Sequence, residues 1–243
     1  MKKLWKLLSK ERRKERKMRL RHHLKKWHFY KHAVLHTMNA IARFRMAHKE
    51  GIDCFGTPPS VQEMRAANKQ FIVRYLMSVP RVEIEKYQNA YIDVCLVFEQ
   101  GAEDAKLGFE KGMEHGRMAV SAADTLNLPK GSVIEFACDF EAHDDDMWMI
   151  EAYFKGVKKA CGTRLQVGIY GGLAVIDWAF RNKVVKWFWQ TYAWSHHVWH
   201  PAAQKRQWLN DLSDAHLSIG GVPVDYDKSM RLDFGQLKPV SPH

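Results

Sequence analysis

The chain has 243 residues and a formal net charge of +11, and the charge is unevenly placed: residues 1 to 50 hold 17 Lys and Arg against 3 acids, whereas residues 51 to 243 hold 21 against 24. With 46% hydrophobic residues, nine Trp and twelve Phe, the part after the basic head has enough apolar material for a packed core, which excludes a disordered chain. No run approaches the ~18 apolar residues of a membrane span, and the opening MKKLWKLLSK breaks into ERRKERK too soon to form the ~7–15-residue apolar region of a secretory signal.

In chain order, residues 2 to 48 contain no Gly and no Pro. Leu20, Leu24, Trp27, Lys31, Val34, Met38, Ile41 and Arg45 recur at alternating steps of four and three, a helical period with a narrow apolar seam. This predicts a basic amphipathic helical arm over 1–49. From Gly51 the texture changes, which sets the boundary of a second unit over 50–243. Gly51 to Phe55 reads as a strand, and Ser60 with Glu63 as a capping box opening a helix that runs through Asn68. Phe71 to Leu76 is the next strand, followed by a helix near Val82 to Ala90 and a third strand from Val94 to Phe98. A long helix then runs to about Leu126, carrying Gly108, Gly112 and Gly116 every fourth residue. Each Gly weakens a helix by about 1 kcal/mol against Ala, so the row points to close packing on a neighbour. Val133 to Glu141 reads as the fourth strand, Asp144, Asp145 and Asp146 as the first turn of a helix, and Gln166 to Tyr170 as the fifth strand, with a helix to about Asn182. Lys186 to Trp194, Gln207 to Leu209 and Val222 to Asp227 are the last three strands, with no long helix between them. Strands alternating with helices, one right-handed crossover after another, predict a closed parallel α/β barrel of the TIM type, trimmed to about 190 residues.

In such a barrel functional groups gather where strands end. The acids at those ends are Asp53, Glu99, Asp139, Glu141, Asp225 and Asp227. Asp139 and Glu141, two apart on one strand, would point the same way with Cα atoms roughly 6.5–7 Å apart, a spacing suited to two carboxylates around one sugar bond. Close carboxylates drive their pKa values apart and leave one protonated near neutrality; acids after a strand also commonly cap the next helix. The run Trp187 to Trp194 would put Gln190, Tyr192 and Trp194 on one face and Trp187 and Trp189 on the other. The first face suits a glycan cleft, since sugar rings stack on aromatic planes and give their hydroxyls to polar groups; the second suits core filling. His196 and His197 are adjacent and point apart, and Cys54, Cys95, Cys138 and Cys161 lie far apart without C-x-x-C spacing, so no metal, cofactor or disulfide framework is expected.

Taken together, GIDCFGTPPS, FEQGA, FACDFE, GIYGG, WQTYAWS and IGGVPVDYD, in this order, resemble the glycoside-hydrolase-like barrel family of actinobacterial secreted proteins and phage lysins, itself similar to the family 25 glycoside hydrolases, the lysozyme-type muramidases. The resemblance covers residues 51 to about 235. It implies Glu141 as proton donor to the leaving oxygen and Asp139 as its partner, stabilising the oxocarbenium ion or orienting an N-acetyl group. Asp53, Glu99, Tyr170, Gln190, Tyr192, Trp194, Asp225 and Asp227 would bind the substrate, the amino-sugar chain of peptidoglycan. The reading is a cell-wall hydrolase of lysozyme or endolysin type, made in the bacterial cytoplasm without a Sec signal and acting at the envelope or as part of a phage particle. A non-catalytic glycan-binding or virion structural barrel is the alternative. The arm, residues 2 to 48, suits an anionic polymer, a membrane surface or nucleic acid, and equally a virion contact or a homo-oligomeric coil.

Overall fold

A computed structural model describes residues 48–210 and 217–239; the arm, as far as residue 47, lies outside them. The barrel strands are β1 (Glu50–Asp53), β2 (Phe71–Tyr75), β3 (Asp93–Phe98), β4 (Ser132–Cys138), β5 (Leu165–Gly171), β6 (Trp187–Gln190) and β7 (Lys205–Leu209). A short hairpin, β8 (Ser218–Ile219) with β9 (Val222–Pro223), precedes the last barrel strand, β10 (Asp225–Ser229). Around the ring the order is β1-β10-β7-β6-β5-β4-β3-β2, closed. The trimmed α/β barrel is therefore present, and among the described residues no helix lies between its last strands.

The connecting helices are α1 (Val61–Ala66), α2 (Arg81–Asn89), α3 (Gly108–Thr125), α4 (Met147–Cys161) and α5 (Leu173–Arg181). The Ser60 to Glu63 capping box forms at the start of α1. The glycine row has the consequence expected of it: a Cβ on Gly112 would fall 2.0 Å from the Tyr153 carbonyl oxygen, and one on Gly156 would fall 2.2 Å from that of Phe109. α3 and α4 thus approach backbone to backbone, where no side chain fits. Ile52, Ile72, Val94, Leu96, Ile134, Phe136 and Ile169 fill the layer between strands and helices. Inside the ring, Phe71, Val73, Cys95, Val97, Ala137, Tyr170, Trp189 and Phe234 form a second cluster. All four cysteines are buried free thiols.

Three expectations need correction. The barrel is not wholly parallel, because β10 runs antiparallel to both β1 and β7. An antiparallel neighbour begins at the end of the barrel where β7 finishes, so β10 needs no crossover to the other end. The fourth strand stops at Cys138: the Asp139 N–H bonds the Ala102 carbonyl at 3.2 Å, so a loop, not a neighbouring strand, takes the next backbone group. The sixth strand stops at Gln190. Trp194, His196 and His197 all have positive φ, and the alternation of faces cannot continue through left-handed residues.

Candidate active site

The ends of the parallel strands enclose a cavity of about 340 Å³, lined by Asp53, Tyr75, Glu99, Asp139, Tyr170, Trp189, Trp194, Gln207 and Asp225 among others. Strand alternation places these groups: Tyr75 follows Phe71 and Val73 on the inner face of β2, Glu99 follows Cys95 and Val97 from β3, and Asp139 follows Glu135 and Ala137 from β4.

The electrostatics follow from crowding acids into a half-closed space. Burial, then the charges of Asp139 and Asp53, push Glu99 up to about 7. Asp139 is also raised by burial and pulled back by a hydrogen bond from the Tyr170 hydroxyl. Gln207 is the hub of the opposite wall. Its Nε2 donates to Asp53 Oδ2 at 3.1 Å and to Asp225 Oδ2 at 2.8 Å. Its Oε1 accepts from Thr191 Oγ1 at 2.8 Å and from the Tyr192 N–H at 3.2 Å. One amide therefore ties two carboxylates to the loop that follows β6.

Beneath the cavity Asp227 is fully buried. Trp189 Nε1 donates to its Oδ1 at 2.7 Å, while Oδ2 receives no donor. Burial, then the charge of the neighbouring Asp53, hold Asp227 well above the usual carboxylate range. Of the two neighbouring carboxyls, Asp227 is therefore the one that keeps its proton as pH rises.

Of the residues singled out in the sequence, Asp53, Glu99, Asp139, Tyr170, Trp194 and Asp225 converge on this cavity. Asp227 lies under its floor. Tyr192 is half-buried at the rim, its ring 5.6 Å from that of His197. Gln190 faces away from the cavity and is fully used elsewhere: Nε2 donates to Ser195 Oγ and the Val198 carbonyl, and Oε1 accepts the His200 N–H. It shapes the loop that carries Trp194 rather than meeting a ligand. Glu141 is exposed and opens on an adjoining cavity of about 500 Å³ with Trp194 and His200. Because the strand ends before them, Asp139 and Glu141 do not share a face. Trp187 sits at the opposite end of its strand with Nε1 on Gln166. Sequence reasoning missed Tyr75, Thr191 and Gln207, and placed Trp189 only in the core, where it does pack on Tyr170 at 4.3 Å while also lining the cavity. Extending the strand-end rule from acids to every inward position of β2 and β7 would have found Tyr75 and Gln207. Among the described residues no cluster of His, Cys, Asp and Glu is arranged to hold a metal ion.

A family model described as Rv2525c-like, glycoside hydrolase-like domain matches residues 62–229. Among solved structures, the Tat-secreted protein Rv2525c of Mycobacterium tuberculosis, crystallised with L-tartrate, is similar at a TM-score of 0.70 and 21% identity, over 77% of this chain and 98% of that one. An uncharacterized protein of B. stearothermophilus is similar at a TM-score of 0.56 and 21% identity, over 74% and 95% of the two chains. No curated protein matches the sequence.

Proposed function

This chain belongs to the Rv2525c-like, glycoside hydrolase-like domain family, and we propose that it hydrolyses bacterial cell-wall glycan by acid catalysis at the barrel mouth. The observation that carries the reading is Glu99, raised to about 7 beside Asp139 at the rim of the cavity. A general acid works best when its pKa lies near the working pH. Glu99 gives its proton to the glycosidic oxygen as the bond to the anomeric carbon breaks. Asp139 faces the positive charge that develops on the sugar ring; water then adds its hydroxyl to the anomeric carbon and its remaining proton returns to Glu99. Asp53, Asp225 and Gln207 bind sugar hydroxyls, and Tyr75 and Trp194 offer ring faces. The donor in this reading is Glu99 and not the Glu141 suggested by the resemblance, because Glu141 is exposed on the adjoining cavity. The basic segment over residues 1 to 50, with 17 Lys and Arg against 3 acids, holds the protein to anionic polymer or lipid at the envelope through screened charge.

The test is product release from purified cell walls with reducing-end analysis. Glu99→Gln and Asp139→Asn should each lower the rate by about 100-fold or more, the usual worth of a general acid or of a charge facing the transition state. Glu141→Gln should keep most of the rate. A dead Glu141→Gln beside an active Glu99→Gln would move the donor to the adjoining cavity. Identical traces from all four proteins would leave a glycan-binding barrel without turnover.

A further inference from the structure

The central cavity is not isolated. A second cavity of about 370 Å³ shares Asp53, Tyr75 and Asp225 with it and extends over Phe55 and Pro223. The third, of about 500 Å³, shares Trp194 and continues past Gly172 and Ala174 to His200. Strand order shows how the three are arranged. The second cavity stands on the ends of β1 and β2 and the start of β10, which are neighbours in the ring. The third stands on the loops after β4, β5 and β6, also neighbours, and β5 is four places from β1 in either direction. The flanking cavities therefore sit at opposite ends of one diameter of the mouth, with the carboxylates between them.

Both ends are built in advance of any ligand. Phe55 is 76% exposed, a large ring left in water, yet it is steadied edge-on against Tyr75 at 5.4 Å. At the other end Trp194 holds a left-handed backbone at φ 53°, a conformation that an L residue keeps only when its surroundings enforce it. They do so here. The Trp194 carbonyl accepts the Leu173 N–H at 3.3 Å, and Ser195 Oγ donates to the Thr191 carbonyl at 2.6 Å and accepts from Gln190 Nε2 at 3.0 Å. Gly172 lets this wall lie against the start of α5, since a Cβ there would stand 3.0 Å from that of Trp194.

Each cavity alone is at the lower end of the range for small-ligand sites, about 300–1,000 Å³; a ligand that fills all three must be linear. We propose that the mouth is the middle cell of a three-cell trench that binds a neutral, linear polysaccharide along its length, with at least one sugar ring on each side of the carboxylates. The proposal rests on the glycan reading above and takes it from a single bond to a chain. Neutrality follows from the centre: the carboxyls of Glu99 and Asp139 can take up hydroxyl and amide hydrogens but disfavour a polyanion. Phe55 and Trp194 supply the apolar planes at the ends.

The experiment uses the full chain carrying Glu99→Gln, so that oligomers are bound but not consumed, titrated by calorimetry with β-1,4-linked N-acetylglucosamine oligomers of two to six units. Affinity should rise by about tenfold or more from two to four units and then level, as expected when aromatic end contacts are added to a central site. Phe55→Ala removes one end platform and Ala174→Trp fills the other cell; both positions are exposed, so the fold should survive, as a thermal melt will show. Each should lower affinity for the hexamer about fivefold or more while leaving the dimer unchanged. Equal affinity for dimer and hexamer, equal losses at every length, or no binding of any oligomer would overturn the trench. Turnover is read separately with wild type on cell walls. Steep length dependence without product would sink the hydrolase and keep the trench; product with flat length dependence would do the reverse.

Discussion

The two ends of the barrel interior handle charge in opposite ways. Toward the end opposite the mouth, Lys205 donates to both oxygens of Glu135 at 2.5 and 2.6 Å, and both side chains are almost wholly buried. Gly168 makes room for the pair, since a Cβ there would lie 2.7 Å from Glu135 Cγ, and the packed rings of Phe71 and Phe234, 4.9 Å apart, belong to the same interior. At the mouth Asp53, Glu99, Asp139 and Asp225 line a cavity whose described walls include no Lys or Arg. The same strands support both layers. Charge meets charge at the inner end, whereas burial and neighbouring acids at the mouth raise the Glu99 carboxyl, which opposes folding of its ionised form but suits acid chemistry.

That contrast can be broken most severely at the matched end. Lys205→Met leaves Glu135 alone in the interior, and urea unfolding should show a loss of about 3–5 kcal/mol. Adding Glu135→Leu should recover most of it, because two apolar groups replace the pair without a stranded charge.

At the mouth the sign reverses. Glu99 has a folded-state pKa of about 7, above its unfolded value, so its stabilising contribution is complete below about pH 4.5 and is lost as pH rises through 7. Glu99→Gln, which stays neutral, should therefore be more stable than wild type at pH 8 by roughly 1–2 kcal/mol, after allowance for partial exposure, and equal to it at pH 4. A loss of stability at pH 8 would mean that the Glu99 carboxylate has a cationic partner, and the contrast with Glu135 would fail.

The finest test separates Asp227 from its neighbours. If it is an acid that accepts from Trp189 and is kept neutral by burial beside Asp53, Asp227→Asn keeps the bond from the indole on Oδ1 and stays neutral at every pH. Wild type should lose stability as pH climbs above the unfolded value of about 4, because only the folded chain keeps the Asp227 proton. Asp227→Asn should lack that decline, while Asp227→Ala leaves the Trp189 N–H unmatched and should be less stable by about 1–3 kcal/mol. The groups that act on Asp227 are Asp53, Trp189, Lys205 and, more distantly, Lys69; of these only Asp53 could take the proton instead, and parallel pH profiles for wild type and the Asn variant would place it there.

Much of the fold was legible because its signals are local. The capping box at Ser60, the glycine row of α3, and apolar runs cut by Gly and Pro each follow from a handful of neighbouring residues. The strand ends were less legible. Phe140 and Glu141 continue the pattern of β4, and Tyr192 and Trp194 that of β6, so alternation was extended past the last strand residue in both. Gln190 shows the consequence. On a longer strand it would face a ligand with Tyr192 and Trp194; in the molecule it is buried and occupied by Ser195, Val198 and His200.

Residue types and their spacing were enough to determine that this chain makes an α/β barrel with acids at the strand ends, because hydrophobic period, caps and glycines act within one element and its immediate partner. They also marked Asp53, Glu99, Asp139 and Asp225 as candidates. Which acid keeps a proton, which carboxylates share an amide, and whether Glu141 belongs with Asp139 were decided only in three dimensions. Burial and charge separation depend on side chains far apart in sequence, and Gln207 reaches Asp53 across 154 positions. The direction of β10 was decided there too, since its antiparallel pairing with both β1 and β7 joins strands far apart in sequence.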